Sequence, residues 1–219
     1  MSMNFGREQA LLRQRLTAKG SEELAAEQAA QHGDNLKFLG ADDQEVLAAA
    51  TDLAELYPDM GRAQMTAFVR TLWGSKTHEL RCVGIEILAM RASLLEPPDM
   101  PFVEGLLKDA TIEALNERIA SDVLGPLVCK NKKLWKDLHK LAKGANEQLR
   151  RAAVRAAKAP VTTDSTVFPR FEKLVTPLLE EADTQLQAAI DEVLAAAVET
   201  HADAVQAFAK EHARKVKTK

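Results

Sequence analysis

Leucines recur along this chain at a nearly constant interval. Leu72, Leu107, Leu141 and Leu178 are separated by 35, 34 and 37 residues, and a second series, Leu80, Leu115, Leu149 and Leu186, keeps the same intervals. Each leucine of the second series therefore follows its partner by eight residues. Paired apolar markers with a period in this range are typical of helix-turn-helix units that stack into an α-solenoid. The pattern predicts four stacked helix pairs with a curved surface that binds a partner.

The rest of the chain is also patterned for helices. Alanine, leucine, glutamate and lysine dominate, aromatic residues make up 5% of the chain, and alternating β-branched runs are absent, so helix is favoured almost everywhere. Gly125, Pro126 and Pro160 are expected at or between helix ends, because glycine and proline commonly end helices. The predicted helices cover residues 5–18, 21–31, 42–56, 61–73, 77–95, 101–108, 111–124, 132–143, 146–158, 168–181, 183–200 and 202–216.

The irregular period narrows the choice of repeat. Tetratricopeptide repeats keep an interval of about 34 residues and a tryptophan, glycine and tyrosine signature, which this sequence lacks. HEAT-like repeats fit better, so the predicted fold is all-α, an α-solenoid of HEAT-like repeats. We expect a single domain over residues 1–219, with an N-terminal helical cap at 1–35 and a C-terminal capping helix and basic tail at 201–219.

The composition also indicates the protein's environment. The sequence has no apolar run of about 18 residues and no signal-like apolar segment at its N-terminus, so neither a membrane span nor export is predicted. A cytoplasmic monomer is expected. Cys82 and Cys129 have no spacing typical of a disulfide or a metal site, and we expect structural roles for them as reduced thiols.

A polar stripe is predicted on the second helix of each pair. Residues two before, two after and six after the marker leucine are four apart, so they share one helix face. Polar residues are ordinary on a solvated helix face, but here carboxylates and arginines from adjacent repeats are expected to face one another across the groove. The stripe residues are His78, Cys82, Glu86, Glu113, Glu117, Ser121, Glu147, Arg151, Arg155, Thr184, Ala188 and Glu192.

The formal net charge of −3 hides a segregation of charge. The segment from Lys130 to Lys158 carries ten basic residues against Asp137 and Glu147, so it holds +8 and leaves −11 for the rest of the chain. A further basic tail begins at Lys210. Such a concentration attracts polyanions and favours DNA binding, although a solubilising basic face is the alternative interpretation. The ten residues are Lys130, Lys132, Lys133, Lys136, Lys140, Lys143, Arg150, Arg151, Arg155 and Lys158.

Several short motifs follow one another in a fixed order: FLG at 38–40, LW at 72–73, HEL at 78–80, LG at 124–125 and LRRAA at 149–153. In order and spacing they resemble the AlkD-like DNA alkylation repair glycosylases, over roughly residues 36–212. The resemblance implies a HEAT-like solenoid that holds double-stranded DNA, alkylated or branched, in a basic concave groove. It also implies release of cationic alkylated bases such as 3-methyladenine and 7-methylguanine, without the base flipping that most base-acting enzymes use.

The resemblance assigns roles to individual residues. The family's backbone-contacting arginine falls on Arg151, and its catalytic aspartate falls on Glu117, where the carboxylate is kept with one further methylene. The two tryptophans that pack against the deoxyribose of the lesion fall on Glu113 and Glu192, so both aromatic positions are acidic here. The expected DNA-binding residues are Arg151, Arg155, Lys158, Lys130, Lys132 and Lys133.

The chemistry of base excision fits one of these residues directly. Breaking an N-glycosidic bond builds positive charge on the sugar, so a carboxylate near the anomeric carbon stabilises the transition state. Glu117 is the candidate for that carboxylate, and a cationic base needs no general acid to leave. Arg151 is the candidate anchor for a neighbouring phosphate. Glu113, Glu117 and Glu192 together would repel the DNA backbone unless arginine pairing, a metal or protonation offsets their charge.

Other chemistry has no support in the sequence. No HExxH or paired-cysteine motif predicts a metal, no GxxxxGK[ST] or GxGxxG loop predicts a nucleotide, and no cofactor is expected. Trp73 and Trp135 lie on first helices of their pairs, where core packing is expected. Two alternatives stay open: a DNA binder of the same family without excision, and a protein-interaction scaffold whose acidic stripe prefers a basic ligand.

Overall fold

The computed structural model describes residues 3–33 and 35–212. The described residues are 79% helical and contain no strand, only one isolated bridge between Lys37 and Thr77. The structure therefore confirms the predicted all-α helical repeat fold. Assignment of the repeats to the HEAT type stays a prediction. No helix in the described ranges is long and apolar enough to cross a membrane.

The chain divides into two compact units, Met1–Leu95 and Glu96–Lys219. The single-domain assignment, with its caps at 1–35 and 201–219, stays a prediction, and the end of the basic tail at 213–219 lies outside the described residues. The amino-terminal unit contains α1 (Phe5–Lys19), α2 (Glu22–His32), α3 (Asp43–Leu56), α4 (Arg62–Gly74), α5 (His78–Met90) and a 3₁₀ turn (Ala92–Leu94).

The described part of the carboxy-terminal unit contains eight α-helices joined by short turns of other helical types. The α-helices are α6 (Met100–Asp109), α7 (Glu113–Arg118), α8 (Gly125–Lys130), α9 (Trp135–Ala142), α10 (Glu147–Ala156), α11 (Lys158–Thr163), α12 (Phe168–Val175) and α13 (Thr184–Glu211). The other segments are a π-helix (Ile119–Leu124) and 3₁₀ turns (Pro97–Asp99, Lys132–Leu134 and Thr176–Leu178).

The leucine series marks the helix interfaces. All eight marker leucines are buried, with at most 7% of each residue exposed. Within the two units, α4 packs on α5, α9 on α10, and α10 on α13. Local start signals operate as expected: Ser21 accepts a hydrogen bond from the Leu24 amide, and Asp42 accepts one from the Glu45 amide, which satisfies amide groups that the helix itself leaves unpaired.

The FLG and HEL motifs meet in the amino-terminal unit. The buried Glu79 carboxylate accepts hydrogen bonds through Oε1 from the amides of Leu39 and Gly40, at 2.8 and 2.9 Å. Burial raises the pKa of Glu79, although the backbone hydrogen bonds act in the opposite direction. Gly40 has a φ of +74°, and a Cβ there would lie 2.0 Å from the Ser21 carbonyl oxygen. Only glycine fits this contact without strain.

The predicted helix end at Gly125 and Pro126 is wrong. The helical backbone continues through the π-helix into α8, and Pro126 stands in the first turn of α8. Proline lacks an N–H group, and the wider π turn before it accommodates the missing hydrogen bond. Gly125 serves packing, because a Cβ there would lie 3.1 Å from the Ala159 Cβ and 3.2 Å from the Ala156 carbonyl oxygen.

One further helix boundary differs from the prediction, and another is confirmed. Pro160 lies inside α11, but in its first turn, where amide groups have no intrahelical partner and a proline loses nothing. The predicted break between the helices 183–200 and 202–216 is confirmed within the described residues, because α13 is kinked at His201, whose φ of −138° and ψ of 38° are not helical. The buried His201 Nε2 donates to the Val161 carbonyl at 2.8 Å, so a tertiary contact fixes this kink.

Substitution of Gly40 tests the close contact between the two motifs. Gly40→Ala should lower the free energy of unfolding by at least about 2 kcal/mol, because alanine is strained in the left-handed region and its Cβ displaces the Ser21 carbonyl. Gly105→Ala is the control, since nothing lies within 4 Å of its Cβ position and alanine favours a helix interior by about 1 kcal/mol. Denaturant unfolding should show a loss of stability for Gly40→Ala and a gain for Gly105→Ala. Equal effects of the two variants would contradict this account.

Candidate functional site

Arg151 lies at the centre of a charged cluster in the carboxy-terminal unit. Its side chain is only 7% exposed. Nε and Nη2 donate to the two carboxylate oxygens of Glu113 at 3.2 and 3.1 Å, and Nη1 lies 3.6 Å from Asp183 Oδ2. A buried guanidinium requires such compensation. Arg151 therefore links α7, α10 and the N-cap of α13.

Arg155 extends this cluster one helical turn further along α10. Its Nη1 lies 2.5 Å from Glu113 Oε1, and its Nη2 lies 3.7 Å from Glu117 Oε2. The Arg155 side chain is 12% exposed, whereas that of Glu117 is 47% exposed. Within these contacts, the Glu113 carboxylate is enclosed by two arginines, whereas the Glu117 carboxylate is accessible to solvent and to a ligand.

The predicted convergence of neighbouring repeats is confirmed for these residues. Glu113 and Glu117 share one face of the chain at α7, and Arg151 and Arg155 share one face of α10, because residues four apart are neighbours on a helix. Glu113 also stands in the first turn of α7, where the helix dipole favours an acidic side chain. These four residues form what we call the arginine–glutamate cluster.

The two arginines keep Glu113 ionised. Burial raises the pKa of the Glu113 carboxyl group, but hydrogen bonds from Arg151 and Arg155, together with their charges, more than offset burial and hold the pKa below its usual value. The carboxylate is therefore charged throughout the neutral range. Its three contacts with guanidinium nitrogens use both of its oxygens, so Glu113 has little capacity left for a further ligand.

Lys158 and Glu192 form a separate and more open pair. The Lys158 Nζ lies 2.5 Å from Glu192 Oε1, and the two side chains are 41% and 42% exposed. A cavity of about 420 Å³ adjoins the pair, lined on α13 by small residues that include Ala195 and Ala196. Glu192, like Glu113, therefore contacts a cation.

Lys130, Lys132 and Lys133 lie elsewhere, at the end of α8 and in the following 3₁₀ turn. Lys132 contacts Asp164 at 2.5 Å, and hydrogen bonds from Lys132 and Thr166 hold the pKa of Asp164 below its usual range. Lys130 and Lys133 are exposed. The structure thus brings Arg151 and Arg155 together with carboxylates, but it does not bring these three lysines into the same cluster.

Acidic residues from other elements offset part of the basic segment. At least five of its ten basic residues contact a carboxylate outside the segment, namely Lys132, Arg150, Arg151, Arg155 and Lys158. The local charge is therefore lower than the sequence count of +8 suggests.

The remaining predicted stripe residues on α5 belong to the other unit. His78 is largely buried, and burial, followed by the charge of His32, lowers its pKa to about 4, so it is neutral at pH 7. Neither Cys82 nor Cys129 forms a disulfide. No cluster of three or more histidine, cysteine or acidic residues in the described ranges is arranged to hold a metal ion. Trp73 and Trp135 are buried, which confirms their core packing.

Asp183 contacts the arginine–glutamate cluster through Arg151, a contact that sequence reasoning missed. It was predicted only as a residue at a helix boundary, and its Oδ1 does accept from the Leu186 amide at 2.7 Å as the N-cap of α13. The same carboxylate faces Arg151 through its other oxygen. Its position directly before the stripe residue Thr184 is the signal that places it beside the cluster.

Stacked helix pairs of this kind define a helical-repeat protein. A family model described as DNA alkylation repair enzyme matches residues 12–218. The chain belongs to this DNA alkylation repair enzyme family, which confirms the resemblance carried by the sequence motifs.

The solved structures support the same fold. One, described as a predicted DNA alkylation repair enzyme from Enterococcus faecalis, superposes with a TM-score of 0.75 at 15% sequence identity and covers 90% of this chain and 92% of that chain. At this identity the likeness shows the fold. None of the curated proteins matches the chain.

Removal of the Glu113 charge tests the cluster. Glu113→Gln should lower the free energy of unfolding by about 1–2 kcal/mol at neutral pH, because it leaves buried Arg151 with only a distant carboxylate; the partial exposure of Glu113 keeps this below the value for a fully buried pair. The folded-state pKa is lowered, so this stabilisation is complete above the unfolded value near 4.5 and is lost as the pH falls through the folded value.

The measurement is denaturant unfolding of both proteins between about pH 3 and pH 7. The difference between them should shrink below the ordinary glutamate value. Glu117→Gln is the control, because this half-exposed carboxylate has one contact at 3.7 Å and its loss should change stability by less than about 0.5 kcal/mol. A pH-independent difference for Glu113→Gln would contradict the assigned role.

Proposed function

We propose that this protein binds double-stranded DNA and hydrolyses the N-glycosidic bond of cationic alkylated purines, such as 3-methyladenine and 7-methylguanine, with Glu117 as the catalytic carboxylate. The observation that supports this most directly is the position of Glu117. Its side chain is 47% exposed, yet Arg155 lies 3.7 Å away and Glu113 holds Arg155 in place. This arrangement provides an oriented, accessible carboxylate at the position where the resemblance implies the family's catalytic aspartate.

The proposed reaction needs little from the protein beyond this charge. As the bond between C1′ and the purine nitrogen breaks, its electron pair neutralises the cationic base, which leaves without a proton. Positive charge develops on the deoxyribose, and a negative charge beside C1′ stabilises it. Water then adds at C1′ and loses a proton, which leaves an abasic site.

Arg151 and Glu113 act in this proposal as positioning residues. Arg151 would have to release a buried ion pair before it could bind a DNA phosphate, and such a pair is far more stable than an exposed one. Its contact with Glu113 instead fixes the carboxylate that orients Arg155. Backbone contact by Arg151, as the resemblance implies, stays a prediction.

Exposed lysines are better placed to bind the DNA backbone. The Lys158–Glu192 pair is about two-fifths exposed on both sides, so it stabilises the fold by about 1 kcal/mol at most and Lys158 can exchange its partner for a phosphate. Lys130 and Lys133 are also exposed on the surface of the same unit. Phosphate neutralisation by such residues gives salt-dependent, sequence-independent affinity.

A noncatalytic DNA binder is the second candidate. The observation that favours it concerns Glu113 and Glu192, the two positions where the resemblance implies tryptophans. Both side chains form ion pairs and supply no aromatic surface against the sugar. An unshielded site admits water, and water weakens the electrostatic stabilisation that a carboxylate provides. Base release distinguishes this candidate from the first.

The decisive measurement is free base released from DNA treated with a methylating agent. The wild-type protein should release 3-methyladenine or 7-methylguanine, and Glu117→Gln should reduce the rate at least about a hundredfold, because the amide keeps the shape and removes the charge. Glu180→Gln is the matched control, since Glu180 is an exposed glutamate of the same unit outside the cluster.

DNA binding should be measured in the same samples. Binding without release from wild-type protein would favour the noncatalytic candidate. Release that Glu117→Gln leaves unchanged would exclude Glu117 as the carboxylate. Absence of both binding and release would favour the protein-interaction scaffold.

A pair of neighbouring lysines tests the proposed backbone contacts. Lys133→Gln should weaken duplex affinity and lower the slope of log affinity against log salt by about 0.9, the value for one lost phosphate contact. Lys132→Gln should have the smaller effect, because Asp164 already neutralises Lys132 at 2.5 Å. Fluorescence anisotropy with a labelled duplex at several salt concentrations measures both. The opposite ranking of these variants would contradict the proposed surface.

A further inference from the structure

A basic cavity lies in the carboxy-terminal unit, between α9, the start of α10 and α12. Its volume is about 130 Å³, and leucine and proline side chains form part of its wall. It is larger than a single water molecule requires. The charged or titratable residues that line it are His139, Lys143, Arg150, Lys173 and Glu181. None of them belongs to the arginine–glutamate cluster.

Arg150 is held so that part of its guanidinium faces this cavity. Its Nε donates to the Gly144 carbonyl at 2.6 Å, and its side chain is 23% exposed. The nearest carboxylate, Glu181, is 3.8 Å from Nη1 and 76% exposed, a distance beyond a normal hydrogen bond. The guanidinium is therefore oriented by the backbone, while its outer nitrogens keep the capacity for a stronger anionic partner.

The other basic residues raise the positive charge of the cavity. Among the described residues, no carboxylate forms an ion pair with Lys143 or Lys173, and both line the cavity. Burial lowers the pKa of His139, and the charges of Lys143, Lys173 and Arg170 lower it further. Two ammonium groups and a guanidinium thus surround a space that holds one loosely placed carboxylate. Such a grouping is self-repulsive unless an anion enters it.

We propose that this cavity, the Arg150 pocket, binds a phosphate group. Arg150 presents a planar guanidinium suited to two phosphate oxygens, and the lysines add point charges. Neutral His139 has one ring N–H to donate. Bound phosphate replaces Glu181 as the partner of Arg150. The phosphate belongs either to the DNA backbone or to a small phosphate compound, and both sources present the same oxyanion.

Titration of the full-length protein with inorganic phosphate tests the pocket. At constant ionic strength, amide NMR signals of the pocket residues should shift and saturate. Lys173→Gln should weaken the affinity about tenfold, the loss of one charged contact. Lys140→Gln is the matched control, because Lys140 is an exposed residue of α9 that does not line the cavity, and it should change affinity less than about twofold. Non-saturating shifts, or equal effects of the two variants, would overturn the proposal.

A second test looks for a gain of phosphate affinity and leaves every basic residue of the pocket in place. Glu181→Gln should tighten phosphate binding about threefold, since it removes the competing carboxylate beside Arg150. Glu180→Gln removes an adjacent exposed charge that does not line the cavity, and it should leave the affinity nearly unchanged. Equal tightening by both variants would show a general field effect and would contradict a defined pocket.

Competition with DNA identifies the source of the phosphate. If the pocket holds a backbone phosphate, inorganic phosphate competes with a short unmodified duplex and Lys173→Gln weakens duplex binding. If it holds a small phosphate compound, Lys173→Gln weakens phosphate binding alone. Both results support the pocket. Base release is measured separately, so failure of the glycosylase proposal leaves the phosphate result intact, and failure of the pocket leaves the Glu117 test intact.

Discussion

The arrangement of the carboxy-terminal unit depends on one buried guanidinium. Arg151 is 6% exposed, and a charge at that depth is stable only where carboxylates compensate it. Glu113 and Asp183 do so from α7 and from the N-cap of α13. Because these contacts fix α7 against α10, they also determine where Glu117 lies, one turn beyond Glu113. The exposed carboxylate is thus placed by the closed ion pair beside it.

The same constraint accounts for Glu113 and Glu192, the two positions where the resemblance would place tryptophans. Glu113 compensates Arg151 and Arg155, while Glu192 contacts Lys158. In each case a carboxylate balances a cation from the basic segment. The consequence for DNA binding is that the cations nearest the candidate site are already paired. Attraction to the backbone then depends on pairs that open easily and on lysines outside the cluster.

Sequence periodicity predicted the parts of the molecule that rest on local rules. The spacing of four residues predicted that Glu113 lies beside Glu117 and Arg151 beside Arg155. The repeat interval predicted that these two pairs face each other. The failures occurred where packing overrides a local signal. Gly125 was interpreted as a helix end, yet it permits close contact with Ala159. Asp183 lies directly before the stripe residue Thr184, but its contact with Arg151 depends on how α13 packs against α10.

Consecutive arginines of the LRRAA motif show how one helix serves two sites. Successive residues on an α-helix point about 100° apart, so Arg150 and Arg151 face different surroundings. Arg151 is buried and contacts two carboxylates. Arg150 donates to a backbone carbonyl, and its carboxylate neighbour, the exposed Glu181, lies 3.8 Å away. An arginine that acidic neighbours neutralise stabilises the fold. An arginine that the backbone orients without neutralising retains its charge for a ligand, and this difference separates the candidate catalytic site from the Arg150 pocket.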